Sequence, residues 1–84
     1  MPQTQPLNTK ERKVLELLIE LAGGINRPIR FRALRNADFP ERVEEIYDEH
    51  PDYLDALACR KLEKLRDKGW ITMKDAIQTA VQAP

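Results

Sequence analysis

Five basic residues, Arg60, Lys61, Lys64, Arg66 and Lys68, crowd the stretch RKLEKLRDKGWITM. Positive side chains at helical spacing either hold an anion or keep a helix in water. Projected at about 100° per residue, the face opposite the leucines carries Ala56, Cys59, Arg60 and Glu63, with Lys64 and Arg66 at its margins. Small residues interleaved with basic ones suit a helix entering the major groove of DNA. There, small side chains admit the backbone, an arginine forks onto guanine and flanking cations reach phosphates. Glu63 can accept from cytosine, whereas Glu63 and Asp55 also repel a phosphate backbone. Tyr53, at the start of the same segment, can contact a phosphate, and Arg30 and Arg32 join the set from a basic block upstream. The bland alternative is a solvated amphipathic helix of mixed charge.

Other chemistries find little support in these residues. His50 stands beside Pro51 with no second histidine and no cysteine at ligand spacing, which argues against a metal site. Cys59 reads as a small groove-facing residue rather than a redox handle. Trp70 and Tyr47 read as core packing. No glycine-rich phosphate loop, paired carboxylates or nucleophile with a base is visible, so an enzyme is not expected, and no cofactor is implied.

The elements that must position these residues fit one small domain. The chain has 84 residues, 42% of them hydrophobic and a third charged, which leaves no room for a second core. Residues 1–6 read as a flexible tail, residues 7–73 as the folded domain and residues 74–84 as a stunted hairpin or a C-terminal helix and tail. In the first helical pattern, Asn8 and Glu11 form a capping box and Gly23 with Gly24 ends the run. Its apolar residues, from Val14 to Ala22, spread wider than one packed face requires, which predicts a central helix or one shared with a partner chain through Leu17, Ile19 or Leu21. Pro28 and Ile29 suggest a short extended segment before a brief helix carrying Phe31 and Leu34. Asp38 is a candidate cap for an acidic helix over 38–50, with Pro40 in its first turn. Asp52 is a candidate cap for a helix over 53–68, buried through Leu54, Leu57, Ala58, Leu62 and Leu65 and stopped by Gly69. Beyond it, Ile77, Thr79 and Val81 alternate as a strand would, while Ala76, Gln78 and Ala80 favour a helix and Thr72 with Asp75 could cap one.

Charge is segregated along the chain although the net charge is zero. Seven basic residues face three acidic ones over 10–35, eight acidic residues face Arg42 alone over 36–55, and six basic face two acidic over 56–74. Such blocks fit a basic binding face with an acidic back. No run of eighteen apolar residues and no secretory signal is present, and one cysteine cannot form an intramolecular disulfide, so a reducing cytoplasm is expected.

The order of helix, short extended segment, helix, acidic helix and basic helix running into Gly-Trp-Ile-Thr-Met resembles the winged helix-turn-helix family of DNA-binding proteins. LEKLRDKGWI looks like the end of that family's recognition helix entering its wing, and RFRALRN is similar to the supporting helix. The resemblance implies a mainly α, small α+β domain with a short or absent wing. It further implies a repressor-like or accessory factor that binds double-stranded DNA as a homodimer. The alternative is a protein-interaction module, an adaptor or small inhibitor, presenting the acidic helix 38–50 to a basic partner.

Overall fold

The computed structural model describes residues 4–80. Among them the chain forms four helices and a two-stranded sheet in the order α1 (Thr9–Ala22), α2 (Phe31–Asn36), α3 (Phe39–Tyr47), α4 (Ala56–Asp67), β1 (Ile71–Met73) and β2 (Ile77–Thr79). The architecture is mainly α with a small antiparallel β element.

Helix α1 begins and ends as its sequence predicts. Glu11 donates its backbone amide to the Asn8 side chain at 2.8 Å, and Asn8 returns its own amide to the Glu11 carboxylate at 2.9 Å. At the other end Gly23 is left-handed with φ 89°, and the amides of Gly23 and Gly24 both reach the Ile19 carbonyl. A side chain at that φ would be strained, so glycine ends the helix there. Val14, Leu15, Leu17 and Leu18 are buried, and α1 packs against α2, α3 and α4. The helix is central. Leu17 is only 5% exposed and is consumed by the chain's own core, which leaves Ile19 and Leu21 as the partly open members of the expected self-association set.

Two helix starts differ from expectation. Asp38 precedes α3 but adopts φ 62° and makes no side-chain capping bond, because α2 ends only two residues earlier and the chain must turn sharply through the left-handed region. The helix also stops at Tyr47 rather than His50, since Asp48 takes φ 53°. Helix α4 starts at Ala56 rather than residue 53. Residues 52–55 instead form a turn closed by the Ala56 amide on the Tyr53 carbonyl, and Asp52 caps nothing. Leu54 consequently falls off the buried stripe and is 45% exposed, while Leu57, Ala58, Leu62 and Leu65 are fully enclosed.

Gly69, at φ 87°, turns the chain out of α4, with the Trp70 amide donating to the Leu65 carbonyl. Of the two alternatives after Met73, the strand is found. Ile71 pairs with Thr79, Thr72 with Gln78 and Met73 with Ile77. On its other side Ile77 bridges Ile29, exchanging backbone hydrogen bonds of 2.9 and 2.8 Å. The strand order is therefore Ile29, β2, β1. Ile77 is 4% exposed, so the core extends past residue 73 into the segment expected to be peripheral. Val81, the last position of the alternating pattern, lies outside the described residues. At the front of the chain, Gln5 donates its amide to the Lys68 carbonyl and accepts from Trp70 Nε1 at 2.6 Å, so the described end of the expected tail is tied down.

Candidate nucleic-acid interface

The five basic residues of α4 and its C-cap, Lys68, divide between structure and solvent. Lys61 lies over the Tyr47 ring, 4.2 Å from its centre, with Lys10 at 5.5 Å. Lys68 donates to Glu11 Oε1 at 2.7 Å and to the Pro6 carbonyl at 3.3 Å. These two cations are absorbed by the fold. Arg66 reaches only its neighbour Asp67, at 3.3 Å on the surface, an interaction worth little in water. Arg60 and Lys64 are exposed and have no side-chain hydrogen bond or ion pair among the described residues.

The outward side of α4 carries a mixed charge. Arg60, Glu63, Lys64 and Arg66 are exposed, and Ala56 and Cys59 are half-buried beside them. Asp67 stands one turn beyond Glu63 on the same face, so three positive groups share it with two negative ones. Burial, reinforced by the negative charges of Asp55 and Glu63, pushes the Cys59 thiol up. A protonated thiol is a small, unreactive surface there. Tyr53 lies outside the helix, in the preceding turn, and is 77% exposed. With Leu54 it places two apolar side chains in solvent just ahead of α4.

Arg30 and Arg32 come from another element. Arg30 precedes α2 and Arg32 lies on it, and both α2 and α4 pack on α3. Arg30, Arg32 and Asn36, with Pro28, Ile29 and Ala33, line a shallow depression of about 370 Å³. Among these, Ile29 has its backbone fixed against Ile77. Arg27 and Arg35, which sequence reasoning leaves out of the site, are exposed in the same segment.

The acidic segment is less uniform than its sequence. Glu41, Glu44 and Asp55 are half-buried, and Glu44 accepts from His50 at 3.4 Å, leaving Asp38, Glu45, Asp48, Glu49 and Asp52 as the exposed acids. Tyr47, on α3 with Lys10 of α1 and Lys61 of α4 over its ring, has a buried hydroxyl without a partner among the described residues. Burial first, then the charges of Glu11 and Glu49, raises the pKa of that phenol.

Among the described residues no group of three metal-ligating side chains converges, and no helix is long and apolar enough to cross a membrane. Set against protein-family models, curated proteins and solved structures, the chain matches none of them.

Proposed function

We propose that this chain is a winged helix-turn-helix domain that binds double-stranded DNA in a reducing cytoplasm, with α4 as the helix that meets the major groove. The observation that carries the reading is the passage from α4 through Gly69 directly into a hairpin whose second strand also pairs with Ile29. This is the strand order expected when a short segment after the first helix joins a wing. Arg60 and Lys64, exposed and free of intramolecular partners among the described residues, supply a base-reading group and a phosphate anchor. A domain of zero net charge gains from presenting two copies to one duplex, because affinity rises with the number of phosphates neutralised. Homodimer formation has an available surface in an apolar cleft of about 380 Å³, where Leu15, Ile19 and Trp70 meet Ile25, itself 61% exposed. A repressor-like or accessory role follows from this reading.

The test is a titration of the parent protein against a pool of random duplexes at two salt concentrations. Binding that weakens steeply with salt supports the reading, and absence of binding at low salt ends it. A second reading, a module that presents its acidic helix to a basic protein partner, is favoured by the exposed Tyr53 and Leu54 next to Asp52 and the acidic end of α3. Interfaces draw on apolar and aromatic anchors of this kind. On that reading Glu45→Lys with Asp48→Lys abolishes capture of the partner, while Arg60→Ala does not.

A further inference from the structure

We infer that the main phosphate-binding surface of the molecule is the arginine platform built on α2, formed by Arg30, Arg32 and Arg35 with Asn36, and that its occupant is the sugar-phosphate backbone of duplex DNA. The inference rests on the DNA reading above and moves the principal electrostatic anchor away from α4.

Charge distribution supplies the first argument. Between residues 21 and 37 the chain carries four arginines and no acidic residue, whereas the exposed face of α4 mixes both signs. None of the four arginines has a side-chain hydrogen bond or ion pair among the described residues. Arg27 is set apart, because the stem of its side chain runs close to Gly24 beside the C-terminal end of α1, where a cation complements the free carbonyls. The other three make no such contact, although Arg35, in the last turn of α2, also complements that helix's terminal carbonyls.

Helix geometry supplies the second. Leu34 is buried and fixes the inward side of α2. Arg32, Arg35 and Asn36, at relative positions i, i+3 and i+4, then project together on the outer side. Two arginines at i and i+3 repel each other, a cost to the helix that the placement of Arg35 in its last turn offsets only in part. The contrast with α1 is direct: there Arg12 and Lys13 stand three to four residues before Glu16, the ordinary pattern of a solvated face.

Preorganisation supplies the third. The depression beside Arg30, Arg32 and Asn36 is also lined by Pro28 and Ile29, and Ile29 is held by two backbone hydrogen bonds to Ile77. Guanidinium groups fork onto phosphate oxygens in a way that an ammonium cannot, and all the cations of this segment are arginines. Asn36 adds an uncharged donor to the same edge.

Amide shift mapping of the whole chain by NMR, titrated at low salt with a short random-sequence duplex and separately with phosphatidylglycerol vesicles, tests the inference. The expected result is a duplex-induced change at residues 29–36 that is as large as, or larger than, any change in α4. Changes confined to residues 29–36 would support the platform while removing the groove reading of α4. Changes confined to α4 and the hairpin would overturn the platform and leave the DNA reading standing. No change with duplex would overturn both, and changes at residues 29–36 with vesicles alone would assign the platform to a membrane surface instead. The variant carrying Arg30→Gln, Arg32→Gln and Arg35→Gln, checked for an unchanged melting curve, is expected to lower the slope of log affinity against log salt by roughly 3, at about 0.9 for each phosphate no longer neutralised. An unchanged slope in that variant would also overturn the platform.

Discussion

The ammonium of Lys68 lies 2.7 Å from Oε1 of Glu11, so the residue that caps the C-terminal end of α4 is joined to the first turn of α1 across 57 residues of sequence. Glu11 is buried, which opposes its ionisation. Hydrogen bonds from Lys68 and from the Asn8 amide, aided by the charges of Lys68 and Lys64, outweigh that burial and hold its carboxyl below the usual glutamate range. A carboxyl with a depressed folded pKa contributes stability that is complete above its unfolded pKa and is lost as pH falls through its folded pKa. Lys68→Met is therefore expected to cost about 2–4 kcal/mol at neutral pH, since it leaves a buried carboxylate without its cation. Urea unfolding of parent and variant should converge as acid protonates Glu11. A difference that stays constant down to strongly acidic pH would assign the cost to packing.

The stripe on α4 gives a paired test. Leu65 is completely enclosed, and Leu65→Ala is expected to destabilise by about 2–5 kcal/mol, a large share of the stability of so small a domain. Leu54→Ala, at a site 45% exposed in the turn before α4, should shift stability by less than about 1 kcal/mol. Equal melting temperatures for the two variants would contradict the observed start of α4.

Thr79 ties the end of the hairpin to the turn after α1. Its hydroxyl oxygen accepts from the Asn26 amide at 2.6 Å, and Thr79 itself is buried. Thr79→Val keeps the shape and removes the acceptor, with an expected cost of about 1–3 kcal/mol for the orphaned amide. Hydrogen exchange at Asn26 should accelerate in the variant. Unchanged protection would show that another group satisfies that amide.

On α4, Arg60 and Lys64 should differ in kind. Arg60→Ala is expected to cost about 1–3 kcal/mol on a preferred duplex and to flatten sequence preference. Lys64→Ala should weaken all duplexes alike and reduce the salt slope by about 0.9. If both are merely solvated, neither change alters binding, and folding moves by only a few tenths of a kcal/mol.

Much of this was legible because it was local. The reciprocal bonds of Asn8 and Glu11, the glycine stops at 23 and 69 and the inward set Leu57, Ala58, Leu62 and Leu65 all follow from spacing within one or two turns. Asp38 carried the same local signal as Asn8, with glutamate three residues on, yet the tight link from α2 forces its backbone left-handed and no cap forms. Residues 77–79 could not be decided from their own spacing either, since their strand state rests on pairing with β1 and, at Ile77, with Ile29 nearly fifty residues away. The same limit applied to the basic residues. Their exposure on α4 was readable, but Lys61 and Lys68 find Tyr47 and Glu11 only through tertiary packing, and nothing in the spacing set them apart from Arg60 and Lys64.

The strand order has a consequence for synthesis. β2 lies between Ile29 and β1, although it is the last of the three to be made. While the ribosome still holds residues 77–79, Ile29 and Met73 have no backbone partner, and the core lacks the side chain of Ile77. A nascent chain paused there exposes two strand edges that another chain could pair with. Both edges close together once residues 77–79 join the sheet.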